Sequence, residues 1–185
     1  MALLVKGSKI PREKPHLGLH DAVLTFVADI GTHIKHTNWG DKAQHQVVFC
    51  WEIDQQMTEG ENAGTPFMVS NRYAFSLYNN SHLCRALESW FAKKISNEKK
   101  EAGIDLEGLI GRRATLNLIE SANGEYINIG TVLPPKPDNK LKPERKKIPD
   151  WLLVLMETSS EKAQEGSNFG EDSIPPEPPM DDLPF

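Results

Sequence analysis

The sequence predicts a mostly β domain of five strands and one helix, followed by a disordered acidic tail. Five segments alternate between apolar and polar residues, which is the pattern of strands in a sheet. One segment between the third and fourth of these places its apolar residues at helical spacing instead. From about Thr158 the composition turns to Ser, Glu, Pro and Gly, and such a stretch buries too little apolar surface to offset its chain entropy.

The first three predicted strands are residues 21–36, 45–54 and 66–78, separated by polar loops at 37–44 and 55–65. A buried face alternating with a polar face is typical of antiparallel sheets. Val48, Cys50 and Glu52 are expected on the polar face of the second strand. The residues expected to face the core are Ala22, Leu24, Phe26, Ala28, Ile30, Ile34, Val47, Phe49, Trp51, Ile53, Phe67, Val69, Tyr73, Phe75 and Leu77.

The period then changes to that of a helix. Asn79, Asn80 or Ser81 offers an N-cap. Leu83, Leu87, Trp90, Phe91 and Ile95 follow at helical spacing.

Two further strands, 112–121 and 125–134, are joined by an Asn123-Gly124 hairpin signal. Three strands, one helix and two strands is the order of a five-stranded OB-fold barrel, with the helix at one end of the barrel.

The chain divides into an N-terminal arm (1–16), the OB-fold domain (17–157) and the tail (158–185). The domain includes a basic, Pro-rich segment (134–149) and an apolar segment (151–156) that is either an extra strand or a short helix. The tail holds seven acids and one base, hence −6, and subtracting this from the net charge of −5 leaves about +1 for residues 1–157. This asymmetry indicates an interaction tail.

Several classes of protein are not supported by the sequence. It has no apolar run long enough for a membrane span, and the short apolar run near residue 1 leads us to expect no secretory signal. Cys50 and Cys84 are expected to be reduced and buried. The His pairs lack partners at metal-site spacing, and no catalytic motif is present. We therefore expect no metal, no cofactor and no enzymatic activity.

An OB fold binds single-stranded nucleic acid across its second and third strands and the adjoining loops. Such binding needs cations for the phosphates and aromatic rings for base stacking. Trp51 lies on the apolar face, where an aromatic ring usually only packs. The loop and polar-face residues have the alternative of being merely solvated. The candidate nucleic-acid-binding residues are Lys35, Trp39, Lys42, Trp51, Arg72, Tyr78, Arg112, Arg113 and Tyr126.

Most of residues 17–136 resembles the OB-fold single-stranded-DNA-binding proteins of tailed bacteriophages. The resemblance is carried by "ADIGTHIKH" (28–36), "VVFCWEI" (47–53), "SNRYAFSLYNNSHLCRALESWFAKK" (70–94), "IDLEGLIGRRATLNLIES" (104–121) and "EYINIGTVLPPK" (125–136). It implies sequence-nonspecific binding of single strands in phage DNA replication, recombination and repair, in the cytoplasm of an infected bacterium.

The last residues carry a second resemblance. Asp181, Asp182, Leu183, Pro184 and Phe185 are similar to the Asp-Asp-Ile-Pro-Phe tip of bacterial single-stranded-DNA-binding proteins. The resemblance implies docking on host or phage replication and recombination proteins.

The alternative function is an OB-fold interaction module whose tip mimics that of the host and competes for its partners. The near-neutral charge of the body favours this alternative, because many nucleic-acid binders are more basic. The sequence leaves open a monomer or a dimer.

Overall fold

A computed structural model describes residues 12–38 and 40–166. The elements in chain order are β1 (Gly18–Thr37), β2 (Gly40–Gln56), β3 (Pro66–Ala74), α1 (His82–Phe91), α2 (Asn97–Ala102), a 3-10 helix (Glu107–Leu109), β4 (Arg113–Glu120), β5 (Ile127–Leu133) and α3 (Asp150–Gly166). Trp39, most of the N-terminal arm and the predicted docking residues 181–185 lie outside the described residues.

The five strands form one antiparallel sheet in the order β3-β2-β1-β4-β5. This confirms the mostly β prediction. The hydrogen-bonded ladders leave β3 and β5 as the two edges of an open sheet. Between β3 and β4 the chain forms two α-helices and a 3-10 helix where the sequence predicted one helix, and a further helix follows β5.

The main core lies on the face of β2 that the sequence predicted. Phe49 and Trp51 are buried there, and Leu83, Leu87 and Trp90 of α1 belong to the same cluster. Ser81 is the N-cap of α1, and its hydroxyl accepts from the backbone N–H of Cys84 at 3.1 Å. That bond fixes the start of the helix, so that its apolar face meets the sheet.

Strand β1 departs from the predicted alternation. Register shifts occur between Leu24 and Phe26 and between Asp29 and Gly31. A β-bulge changes which face the following side chains occupy. Leu24 therefore faces the main core, whereas Phe26, Ala28 and Ile30 belong to a second cluster. Ile34 is 56% exposed rather than buried.

The second cluster lies under helix α3. Val48 and Cys50, expected on a polar face, pack there against Leu152 of α3 together with Ala28 and Ile30. The apolar segment 151–156 is thus helical and covers the sheet. The helix continues to Gly166, so the predicted disorder from about Thr158 is wrong for residues 158–166. Cys50 and Cys84 are both buried and unpaired.

The segment between β5 and α3 is fastened to the sheet by two buried polar side chains. The Glu52 carboxylate accepts from the backbone N–H groups of Glu144 at 2.7 Å and Arg145 at 2.9 Å. The Asn139 amide donates to the carbonyls of Ala22 and Ala114 at 3.2 and 3.1 Å. These bonds hold the approach to α3 against the outer face of the sheet.

We expect Glu52→Gln to lower the free energy of unfolding by about 2 kcal/mol, because the amide places a donor where two backbone donors need an acceptor. Glu52 is only 2% exposed, so water does not compensate. Urea unfolding measures the change. The matched control is Glu144→Gln, which alters an exposed side chain and keeps the backbone N–H. Equal stability of the two variants would contradict this role for Glu52.

The predicted loop at 37–44 is mostly strand. Strands β1 and β2 stay paired as far as Thr37 opposite Gly40, which leaves only residues 38 and 39 between them. We call these paired ends, residues 31–37 and 40–46, the ribbon. The Asn123-Gly124 prediction is confirmed, since β4 and β5 pair on either side of it and Gly124 has φ +68°. This conformation suits glycine because it has no Cβ.

Candidate nucleic-acid interface

The ribbon of β1 and β2 carries two opposed lysines. Lys35 pairs directly with Lys42 across the ladder, and both side chains are exposed. Neither ammonium has a carboxylate partner among the described residues. Like charges placed directly opposite each other destabilise a strand pair. An anion bound between them would remove that repulsion.

The ladder register places Arg72 on the same face of the sheet as these lysines. Val48 pairs with Arg72, and β2 carries no bulge between Lys42 and Val48. Side chains two residues apart on a strand share a face, and so do directly paired residues. Position 48 is six residues from Lys42, or about 20 Å along the strand. Cations therefore stand near the tip of the ribbon and beside the middle of β2, on one outer face.

Helix α3 divides this outer face. It covers the part formed by Ala28, Ile30, Val48 and Cys50. The ribbon on one side and the exposed residues Ser70 and Arg72 of β3 on the other remain open. A strand of nucleic acid touching both sets of cations would have to pass beside α3.

A cleft of about 520 Å³ opens where the edge strands β3 and β5 meet α1. Three cationic or titratable side chains reach it, Arg72 from β3 and His82 and Arg85 from α1. Within residues 12–38 and 40–166, no Asp or Glu lines this cleft. The remaining lining residues are Asn71, Tyr73, Ala86, Ser89, Ile129, Gly130, Thr131 and Val132. The cleft thus combines positive charge with an apolar wall.

An aromatic pair lies just beyond the end of β3. Phe75, predicted to be in the core, is 51% exposed, and its ring stacks on that of His45 with centroids 4.8 Å apart. A ring nitrogen of His45 lies 2.6 Å from the Asp29 carboxylate, which also accepts from the Gly31 N–H. Partial burial alone would raise the pKa of Asp29, but these hydrogen bonds lower it below its usual value. Asp29 therefore stays ionised and holds the His45 ring.

The other predicted contacts are distributed over the surface. Tyr78 is 80% exposed in the loop before α1, and Tyr126 is 65% exposed beside the β4–β5 turn. Arg113 donates from Nε to the carbonyl of Leu141 at 3.0 Å. The guanidinium of Arg112 lies 5.8 Å from the centroid of the Phe91 ring.

The carbonyl of Arg112 accepts a hydrogen bond from the backbone N–H of Leu24. Leu24 lies eleven residues before Lys35 on β1. That is roughly 35 Å measured along the strand. The structure therefore does not bring Arg112 and Arg113 to the ribbon lysines.

The prediction that Trp51 contacts nucleic acid is wrong. Its side chain is 0% exposed and packs edge-on against Trp90 with ring centroids 4.9 Å apart. A base cannot reach it while the domain is folded. Trp39, also a candidate, is outside the described residues, and its role stays a prediction.

Sequence reasoning missed Arg85, His82 and Phe75. His82, Arg85 and Ser89 are at positions i, i+3 and i+7 of α1, so they form one helix face. That spacing can be seen in the sequence. The sequence does not indicate that β5 lies alongside this helix face.

Comparisons with known protein families, characterised proteins and solved structures find no match to this chain. In the part of the chain that the structure describes, no helix combines the length and apolar character that a membrane crossing requires. Residues 12–38 and 40–166 also contain no group of three or more His, Cys, Asp or Glu side chains placed to hold a metal ion. The charged and aromatic surface is therefore the feature of this molecule that points to a function.

Proposed function

We propose that this chain binds single-stranded DNA without sequence preference and coats single strands during phage DNA replication, recombination and repair. The observation that carries the proposal is the directly opposed pair Lys35 and Lys42, which shares an outer sheet face with Arg72. Cations that follow a backbone, with exposed aromatic rings beside them, are the two requirements for binding single strands. Phe75 and Tyr78 supply the exposed rings.

In this proposal the fold is an OB barrel. Strand β1 pairs with both β2 and β4, and the two edge strands β3 and β5 border one cleft next to α1. These features support the partly open barrel of an OB fold, with the gap between β3 and β5. The known preference of OB folds for single strands on the second and third strands agrees with the exposed Arg72.

The test is a titration of fluorescently labelled oligo-dT at several salt concentrations, followed by anisotropy. A strand of about 20 nucleotides exceeds the roughly 4–16 nucleotides that one OB fold occupies. We expect binding that weakens as salt rises, because phosphate contacts release counterions. Duplex DNA of equal length serves as the control. An absence of oligo-dT binding at micromolar protein would reject this function. It would favour the interaction-module alternative, which the near-neutral charge of residues 1–157 also favours.

We also propose that residues 181–185 recruit host or phage replication and recombination proteins in the infected cell. Deleting Phe185 is expected to abolish capture of a purified replication protein, because Phe fills an apolar pocket on the partner. The same variant should bind oligo-dT with unchanged affinity. Phe169→Ala removes an aromatic ring elsewhere in the tail and serves as the control. Capture that survives loss of Phe185 would contradict the recruitment role.

A further inference from the structure

The cleft between β3, β5 and α1 has a chemical character distinct from the ribbon. Its two guanidiniums, Arg72 and Arg85, form no ion pair among the described residues, and the His82 ring lies in the same wall. The two guanidiniums, with no carboxylate among the described lining residues, repel each other. The arrangement is stabilised when an anion lies among them.

The cleft also has unused hydrogen-bonding capacity. No ladder joins β3 to β5 within residues 12–38 and 40–166, so both strands turn unpaired edges towards the cleft. An unpaired strand edge presents backbone N–H and C=O groups. Asn71 uses one amide hydrogen on the Tyr73 hydroxyl, and the hydroxyls of Ser89 and Thr131 also lie in the wall.

The rest of the wall is apolar. Tyr73 and Val132 are almost fully buried, and Ala86 and Ile129 are partly buried against the main core. A ligand suited to this cleft is therefore anionic at one end and flat, with polar edges, at the other. Its volume of about 520 Å³ is in the range of small-molecule sites, roughly 300–1,000 Å³.

We propose that this cleft binds one nucleotide of the DNA strand, with the phosphate between Arg72 and Arg85 and the base against the wall formed by β3 and β5. The inference rests on the proposed function and deepens it. In addition to the open outer face, the protein would have a separate site for a single unstacked base. Arg72 belongs to both surfaces, since it also stands on the outer face of β3. A strand that follows the ribbon would thus reach the cleft through Arg72.

The experiment uses the full chain and thymidine 5′-monophosphate as the probe, followed by amide NMR. We expect saturable shifts at the residues of the cleft, with weaker shifts from thymidine or inorganic phosphate alone. Arg85→Gln should remove these shifts and weaken oligo-dT binding about eightfold at 50 mM salt, the effect of one lost phosphate contact. Lys99→Gln removes an exposed charge from α2 and serves as the control. It should change neither the amide shifts of the cleft residues nor the affinity for oligo-dT by more than about twofold.

Two outcomes separate this inference from the proposed function. If the wild type binds oligo-dT while the nucleotide shifts no cleft residue and Arg85→Gln binds DNA normally, the cleft proposal fails and the function stands. If the nucleotide fills the cleft but the wild type binds no oligo-dT, the DNA-coating function fails and the nucleotide site stands. Arg85 is exposed, so the substitution should leave the melting temperature unchanged.

Discussion

Trp51→Ala is expected to lower the free energy of unfolding by about 3–5 kcal/mol, the usual cost of emptying the space of a buried Trp. Trp51 is fully buried at the centre of β2 and contacts Trp90 and Phe49. Trp90 in turn donates from Nε1 to the carbonyl of Arg113 at 2.8 Å, which ties α1 to β4. A cavity at this point would loosen the packing of α1 on the sheet. Denaturant unfolding followed by circular dichroism measures the loss.

Trp51→Phe separates packing from any role in binding. The smaller ring keeps most of the apolar contact and removes the indole N–H, which has no hydrogen-bond partner among the described residues. We expect a smaller loss of stability and unchanged affinity for oligo-dT. A stacked aromatic contributes roughly 1–3 kcal/mol per base. A folded Trp51→Phe variant with markedly weaker DNA binding would show that Trp51 contacts DNA and would contradict its place in the core.

The inner face of β2 was predictable because nothing interrupts the alternation of its side chains. Val47, Phe49, Trp51 and Ile53 are buried in the main core as the pattern indicated. The same alternation indicated that the Trp51 side chain would not reach the surface. Trp51 was a nucleic-acid candidate only because it is aromatic, and its burial leaves no exposed ring for a base.

The face change in β1 was harder to predict, because a bulge depends on the partner strand as well as on the chain itself. One local signal was present. Asp29 accepts from the N–H of Gly31, and Gly31 has φ +71°, so the Asp29-Ile30-Gly31 sequence favours a kink there. The shift near Thr25 has no comparable signal, since its neighbours all suit a regular strand.

Helix α3 could not be distinguished from a strand by sequence, because residues 151–156 are uniformly apolar and have no period. Its position follows from the second apolar face of the sheet, which Val48 and Cys50 form. These residues sat in an alternating pattern that assigned them to solvent. The candidate site had the same limitation. Lys35, Lys42 and Arg72 are exposed, and their contact with nucleic acid stays a prediction. Arg85 joins the candidates only because β5 runs beside α1.

Replacing the opposed lysines by Lys35→Gln/Lys42→Gln is expected to weaken oligo-dT binding roughly 65-fold at 50 mM salt. Each phosphate contact with a single strand contributes about 0.7 to the slope of log K against log salt, so two contacts lower the slope by about 1.4. The affinities of the variant and the wild type should therefore converge as salt rises. Anisotropy titrations over a range of salt concentrations measure both quantities.

The protein without DNA should respond in the opposite direction. Because Lys35 and Lys42 are directly paired and unneutralised among the described residues, removing both charges relieves repulsion in the ribbon and should slightly stabilise the free protein. The charge-matched control is Lys99→Gln/Lys142→Gln, which removes two exposed lysines from α2 and from the segment after β5. A gain in stability together with a loss of affinity would show that Lys35 and Lys42 contribute to DNA binding and not to the stability of the fold. Equal loss of affinity and of salt slope in both double variants would show that only net charge matters and that the ribbon is not the contact surface.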